Sequence, residues 1–220
     1  MKNILLVFLF LGILSSNLFA QQFGVKAGIG FSSIYQTDEI NYYKDKLKHE
    51  SDPRFILSLR INWQLVGNLH IAWEPGLIEK SGKITGVAIG YDSQNNDIYG
   101  YREYKLLNFD NNMLLNYDLV TIKDILVKVY IGPGISWNIS DKQTFGLAIS
   151  GYPYPNFPTV DYENPYITNN SGFNFLAGVN LEFKRFQFDI RYAKEYSDLW
   201  INGIGRYKSY LFCFLIGYVL

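Results

Sequence analysis

The stretch at residues 173–192, FNFLAGVNLEFKRFQFDIRY, decides the fold. Its first half places an apolar residue at every second position from Phe173 to Phe183, and its second half does the same from Phe186 to Tyr192. This period-two alternation is typical of a β-strand with one apolar face. Because only two residues, 184 and 185, separate the runs, we expect an antiparallel hairpin with a very short turn.

Eight segments of this kind follow one another along the chain. They lie at residues 23–32, 54–64, 69–77, 107–117, 125–137, 173–183, 186–192 and 209–220. The connections alternate in length: 65–68, 118–124 and 184–185 are short, and 36–52, 81–103, 138–172 and 194–206 are long. Membrane barrels sort their turns and loops by side in this way. The pattern predicts an all-β fold, an eight-stranded antiparallel up-and-down transmembrane β-barrel with short periplasmic turns and long extracellular loops.

The composition fits a barrel that faces lipid. The chain has 18 Tyr, 16 Phe and 4 Trp, together with 20 basic and 20 acidic residues. A barrel in lipid turns its apolar face outward and its small or polar residues inward. The balanced charge offers no basic stripe, which argues against a nucleic-acid surface. One cysteine, Cys213, excludes an intrachain disulfide and a Cys-rich metal site.

The first 20 residues read as an export signal that precedes a single domain at residues 21–220. Lys2 supplies the positive start, residues 4–14 form an apolar run, and Ala20 suits the position before a cut. The alternative is a membrane anchor, but the run is shorter than the roughly 20 residues that a spanning helix needs. We therefore predict export to an outer membrane.

The alternation also predicts which charged side chains point into the lumen. Four are basic and four are acidic: Lys26, Arg60, Lys128 and Arg191, and Glu74, Asp110, Glu182 and Asp189. An eight-stranded barrel is just wide enough for side chains to fill it. Because lone buried ions are costly, we expect the eight charges to pair as a structural network that closes the lumen. A proton- or ion-conducting path is the alternative.

The long loops offer the candidate contacts for a partner. The third loop contains four prolines and displays five aromatic rings beside or between them: Tyr152, Tyr154, Phe157, Tyr162 and Tyr166. Prolines stiffen the chain, and exposed rings suit a protein or glycan partner. The alternative is that this segment folds over the barrel mouth as a lid.

Residues for catalysis, metal binding or cofactor binding do not form a convincing set. His70 has no Ser or Asp at a motif spacing, and His49 lies in a charged segment, residues 44–50, that we expect to be a short helix. The acidic and amide residues at 92–97 lack the ligand spacing of an EF-hand. We predict no catalytic residue, no metal and no cofactor. A barrel enzyme would need a His at the rim with a Ser or an acid beside it.

Several short motifs resemble the PorT-like outer-membrane β-barrel family. They are FGVKAG at 23–28, LHIAWEPGL at 69–77 followed by EKSG at 79–82, YIGPG at 130–134 and QFDIRY at 187–192. The family's fourth strand usually has an apolar residue and then Pro near its middle, where this chain has Asn111 and Asn112. Since the alternation turns Asn111 toward lipid, we expect a bulge or a change of register there.

The resemblance implies a porin-like fold and an outer-membrane location, with little about activity, because one fold serves many functions. We predict a non-enzymatic scaffold or surface-binding protein. Its partners would be outer-membrane lipid, the barrel assembly machinery during insertion, and a protein or glycan at the loops, but no nucleic acid. The alternatives are a component of a secretion or transport system or a narrow pore, a barrel enzyme acting on lipid or peptide, and a soluble periplasmic barrel.

Overall fold

The computed structural model describes residues 22–36, 48–91, 97–147, 160–162, 171–197, 199–201 and 205–220. They form eleven strands. Eight are long: β1 (Gln22–Gln36), β3 (Pro53–Val66), β4 (Leu69–Tyr91), β5 (Asp97–Ile122), β6 (Ile125–Leu147), β8 (Ser171–Phe183), β9 (Phe186–Glu195) and β11 (Gly205–Val219). Three have three residues each: β2 (Lys48–Glu50), β7 (Val160–Tyr162) and β10 (Leu199–Ile201).

The eight long strands close into a barrel. Each pairs antiparallel with the next along the chain, and β1 pairs with β11, from Gly24 opposite Val219 to Gln36 opposite Tyr207. The sheet therefore has no free edge within the barrel. This confirms the predicted eight-stranded antiparallel up-and-down barrel.

The register fixes the tilt of the strands. Following the paired positions once around the barrel from Gly24 leads back to β1 at Ile34, an advance of about ten residues. An eight-stranded barrel with that stagger has strands inclined by roughly 40° to its axis. The interior is then only wide enough for packed side chains.

The two faces of each strand differ in polarity. Large apolar side chains cover the outside of the barrel, for example Phe55, Leu59, Ile131, Phe188 and Ile216, which are 45–60% exposed. The inside holds buried polar and charged side chains together with an apolar cluster: Ile56, Ala72, Ile78, Leu114, Tyr130, Leu176, Ala193, Leu211, Cys213 and Leu215. In the part of the chain described, no helix is long and apolar enough to cross a membrane.

Two of the short connections are tighter than expected. β3 continues to Val66, so the connection expected at residues 65–68 is the two-residue turn 67–68. Strand β5 continues to Ile122, so the connection expected at residues 118–124 shrinks to the two-residue turn 123–124. Each of the three turns has a first residue with positive φ: 52° at Gly67, 56° at Lys123 and 56° at Lys184. Two-residue hairpin turns require such a conformation.

All four expected long loops are partly strand, two of them over long stretches. β4 runs to Tyr91 and β5 starts at Asp97, so most of the segment 81–103 is a hairpin, and β6 runs on to Leu147 inside the segment 138–172. These residues lie beyond the last positions that pair with β3 and β8. Their apolar and polar residues do not alternate regularly, so the periodicity of the sequence did not mark them as strand.

The segment expected as a short helix at residues 44–50 is described only at its end. There, Lys48–Glu50 forms strand β2 and pairs with Lys83–Thr85 of β4. Hydrogen bonding to the free edge of β4 explains why strand is preferred over a helix at these three residues.

The bulge expected at Asn111 is absent. Pairing between β4 and β5 is continuous from Leu69–Tyr117 to Thr85–Tyr101, and Pro75 lies directly opposite Asn111. The register of β5 against β6 shifts elsewhere, at Leu107/Asn108 and at Asp118/Val120. Asn111 keeps its outward place because its side chain accepts a hydrogen bond from the Trp73 indole, at 2.5 Å.

Closure of the barrel can be tested at the seam between β1 and β11. A Cβ on Gly28 would meet the backbone of β11, at the Phe214 carbonyl oxygen and 2.8 Å from the Leu215 Cα. We expect Gly28→Val to destabilise the barrel by about 3 kcal/mol, because the backbone cannot move away without opening the seam.

The measurement is the urea midpoint of unfolding, together with the heat-dependent shift in electrophoretic mobility that closed barrels show. Ala27→Val, one residue away on the half-exposed outer face, is the matched control and should change stability by no more than about 0.5 kcal/mol. Equal stability of the two variants would contradict the described seam.

Candidate functional site: the charged lumen

The alternation of apolar and polar residues along the strands places the predicted lumen charges on the inner face of the barrel. Seven of the eight predicted residues are at most 4% exposed: Lys26, Arg60, Glu74, Asp110, Lys128, Asp189 and Arg191. The eighth, Glu182, has a side chain 14% exposed and lies at the mouth on the short-turn side. The structure groups these residues in three clusters along the barrel axis.

The central cluster joins Lys26, Arg60, Glu74, Asp189 and Arg191. Lys26 Nζ lies 3.2 Å from Glu74 Oε2 and also donates to Asp189 Oδ2. Arg191 Nη2 lies 2.5 Å from Glu74 Oε1 and 2.7 Å from Asp189 Oδ2, and so bridges the two carboxylates. Arg60 Nη1 lies farther off, 3.7 Å from Glu74 Oε2. The cluster is therefore one connected network across the lumen.

Tyr130 lies against this cluster. Its hydroxyl donates to Asp189 Oδ1 at 2.5 Å, and the cationic groups of Lys26, Arg60 and Arg191 lie 5.7–6.0 Å from its ring centroid. These distances are within the range for cation–π attraction. The ring occupies space that Gly178 leaves free, since a Cβ there would overlap it. The Tyr130 ring therefore adds cation–π attraction to a cluster in which cations outnumber carboxylates.

The upper cluster, on the long-loop side, contains Lys80, Asp110, Ser136, Glu195 and Ser209. Lys80 Nζ lies 3.7 Å from Glu195 Oε2 and donates to Ser136 Oγ at 3.2 Å. Ser136 Oγ in turn donates to Asp110 Oδ1, and Ser209 Oγ donates to Glu195 Oε2.

Sequence reasoning missed two of the upper residues, Lys80 and Glu195, which are each 3% exposed. The predicted third and seventh strands ended before them. Continuing each inward-facing series by four residues, from Gly76 to Lys80 and from Arg191 to Glu195, would have found both, because the same face of the strand continues.

The lower cluster, on the short-turn side, contains His70, Asp118, Lys128 and Glu182. Lys128 Nζ lies 2.9 Å from Glu182 Oε2 and 3.8 Å from Asp118 Oδ1. His70 Nε2 lies 3.1 Å from Asp118 Oδ2. His70 and Asp118 are 48 residues apart in the chain, and Asp118 was expected in a turn, so the sequence alone did not pair them.

The His70–Asp118 pair meets one requirement of the enzymatic alternative, an acid beside a rim histidine. A nucleophile is also needed. Within the described residues no serine hydroxyl is hydrogen-bonded to His70, and Asp118 is shared with Lys128. Also within those residues, no three His, Cys, Asp or Glu side chains are arranged to hold a metal ion. The pair fits best as part of the ionic network.

Charge is layered along the barrel axis. The central cluster has three cations and two carboxylates, whereas the upper cluster has Lys80 with two carboxylates and the lower has Lys128 and the His70 imidazole with two carboxylates. A centre rich in cations thus lies between two ends in which carboxylates outnumber lysines. Attraction between layers adds to the pairing within each one, and it is strong because the interior has a low dielectric.

The rest of the lumen is filled by apolar side chains that the sequence analysis did not assign to the inside. Ile56, Leu176, Leu211 and Leu215 are 1–2% exposed and point inward. The expectation of an inner face made only of small and polar residues is therefore wrong. The reason is that a narrow lumen behaves as a protein core, in which packing is favourable for any side chain that fits.

Little open space remains inside the short-turn mouth. The cavity bordered by Arg60, Asn62, Lys128 and Gln187 has about 10 Å³, which is room for about one water molecule. Nearby, both side-chain atoms of the buried Asn180 lack a protein partner among the described residues. The arrangement suits a bound water better than a passage for solutes.

The aromatic residues predicted as loop contacts fall largely outside the described part of the chain. This applies to Tyr152, Tyr154, Phe157 and Tyr166, and also to the export signal at residues 1–20. Tyr162 is described only through its backbone, which ends strand β7 and pairs with Gln143 of β6.

The central cluster should be sensitive to loss of one charge. Glu74 contacts Lys26, Arg60 and Arg191, so Glu74→Gln leaves three buried cations with one carboxylate. We expect this variant to lose about 3–5 kcal/mol of unfolding free energy.

Equilibrium unfolding in detergent or lipid measures the loss. Glu182→Gln is the matched control, because its partner Lys128 also faces Asp118 and the carboxylate is partly exposed. That variant should cost about 1 kcal/mol or less. If both substitutions cost the same small amount, the central cluster is solvated and the described network is wrong.

Comparison with known proteins gives a likeness of fold. No family model matches the chain, and no curated protein matches it. Neisserial surface protein A is similar at 14% identity over 91% of this chain and 99% of its own, with a TM-score of 0.47. Ail of Yersinia pestis is similar at 9% identity over 92% of this chain and 100% of its own, with a TM-score of 0.41. The outer membrane protein OprG of Pseudomonas aeruginosa is similar at 13% identity over 91% of this chain and 96% of its own, with a TM-score of 0.40.

Proposed function

We propose that this chain is an outer-membrane barrel with a closed lumen, and that it serves as an anchor for a surface-exposed β-sheet that binds or scaffolds a partner. The observation that carries the proposal is the combination of a lumen filled by ion pairs with an outer surface of large apolar side chains. We place the chain with the PorT-like barrels on the motifs quoted above. In this account it is not an enzyme.

The outer surface supports placement in a membrane. Apolar side chains cover it, and aromatic pairs lie near both ends, as in the interfacial girdles of membrane barrels. Phe186 and Tyr218 pack at 5.5 Å near the short turns, while Phe109 stacks on Trp137 at 6.0 Å toward the long-loop side. Lipid is therefore the first partner. Delivery would require the export signal at residues 1–20 and the barrel assembly machinery.

The sheet above the barrel supports the surface-binding role. β4, β5 and β6 continue beyond the level at which β3, β8 and β9 end, and β2 and β7 pair with their edges. A pre-formed sheet presents loops at low entropic cost, which favours binding. We propose a protein or glycan as the partner, with the aromatic segment at residues 152–166 as the contact.

A role in secretion or transport is the second candidate, because the resemblance to PorT-like barrels includes members linked to secretion machinery. Such a role is compatible with a closed lumen if the barrel acts as a scaffold. A steady pore is less compatible, because three layers of paired charges and an apolar cluster lie across the lumen.

The sidedness of the barrel provides the test. In cells that express the chain, Lys142→Cys would place a thiol above the barrel on the long-loop side, and Asn68→Cys would place one in a short turn; both positions are exposed. We expect a membrane-impermeant maleimide to label Lys142→Cys in intact cells and Asn68→Cys only after the outer membrane is permeabilised.

The native thiol is a built-in control, because Cys213 is fully buried in the barrel and should stay unlabelled. Labelling of Asn68→Cys alone in intact cells would reverse the topology. Failure of both sites to react in intact cells, with reaction after permeabilisation, would contradict surface display.

A further inference from the structure

One polar side chain lies on the outer surface among apolar neighbours. Asn111 faces outward on β5 between Phe109 and Met113, with Pro75 opposite on β4 and Ile135 opposite on β6. The stacked rings of Phe109 and Trp137 lie on its long-loop side. Asn111 therefore lies inside the apolar belt and not at its edge. A polar group inside the belt is expensive.

The amide of Asn111 is only partly satisfied. Its Oδ1 accepts the hydrogen bond from Trp73 Nε1 at 2.5 Å, and this is the one side-chain hydrogen bond that the described residues give it. An amide has two N–H donors and a second lone pair on its oxygen. In a hydrocarbon environment without water, unpaired donors cost free energy. A group from outside the barrel wall is needed to pair them.

The outer surface around Asn111 is rigid, and its proline side chains project less far from the barrel wall than side chains elsewhere on the belt. Pro75 and Pro133 both face outward there, and both interrupt the regular pairing of the sheet. Paired residues of β3 and β4 stop at Ser58–Gly76 and resume at Ile61–Trp73, and there is a similar gap between β5 and β6 at Gly132 and Pro133. Proline rings are shorter than the Phe, Ile and Leu side chains elsewhere on the belt, and their backbone is fixed. The surface would lose little entropy on contact.

We propose that this surface, the outer faces of β4, β5 and β6 around Asn111, is a contact with a second copy of the chain within the membrane. An amide is self-complementary: on a two-fold axis each Asn111 Nδ2 can donate to the oxygen of the other copy while that oxygen keeps its bond from Trp73. Helices in lipid associate through polar pairs and close approach, and the same physical forces act on an outward-facing amide of a barrel. A two-fold dimer is the commonest assembly. The inference rests on the proposed lipid-facing placement of the belt.

Association in lipid tests the proposal. The dimer fraction of the purified full chain is measured in phospholipid vesicles by single-molecule photobleaching at increasing protein-to-lipid ratios. We expect the wild-type chain to dimerise as the ratio rises, and Asn111→Leu to associate about tenfold more weakly. Ile190→Leu, on the outer face of β9 away from this contact, is the matched control and should dimerise as the wild type does.

A second measurement locates the contact. With Cys213 buried, Met113→Cys and Ile190→Cys each add one outward thiol, the latter on β9. A short bifunctional maleimide should link Met113→Cys into dimers and leave Ile190→Cys monomeric.

Two results would overturn the proposal: a wild-type chain that stays monomeric at every ratio, as expected if a lipid group pairs with Asn111, or equal association of Asn111→Leu and the wild type. In either case, heat-modifiable mobility and membrane insertion of the wild type would still report a folded barrel. Failure of the contact is therefore distinguishable from failure of the membrane placement.

Discussion

The structure depends on the pairing of the first strand with the last. In lipid a free sheet edge would leave unpaired backbone groups, so the eight strands must close. Closure with a stagger of about ten residues sets the tilt and thereby the width of the interior. That width leaves room for side chains and for little else. The identity of the inward-facing residues then decides whether the barrel is a pore or a plug.

The inward residues of this chain make a plug with a definite charge pattern. A buried charge is costly alone, and a buried pair is roughly neutral compared with apolar packing, so the network contributes specificity more than stability. Specificity is useful here because, if a strand slipped by one residue, all its inward-facing charges would face the lipid. The pairs across the lumen, such as Lys26 with Glu74 and Asp189, therefore hold the register of strands that are far apart in sequence.

The sequence was sufficient for the barrel because alternation is a local property that lipid and lumen impose together. The alternation was also enough to predict that residues such as Lys26 and Asp189 face the lumen. It could not identify partners, because pairs such as His70 with Asp118 depend on the register between strands. The strands above the barrel were missed for a different reason: residues 84–91 pair as strand although their apolar and polar residues do not alternate regularly.

The outside of the barrel shows the same limit. Asn111 was identified in the sequence as an anomaly, and a bulge was the local explanation. The structure keeps the register and gives the amide a partner in Trp73 on the next strand. A polar residue therefore occupies an outward position that alternation reserves for apolar residues, and the strand has no bulge there. Places that break such a local rule are often functional.

The claim that the lumen is closed can be measured directly by ion conductance across a planar lipid bilayer. With the folded wild-type barrel inserted, the account predicts no steady channel at moderate voltage, because the three charge clusters and the apolar side chains between them leave no continuous water path. Stable, ohmic single-channel currents from that barrel, in a preparation whose folded state is verified by heat-modifiable mobility, would contradict it.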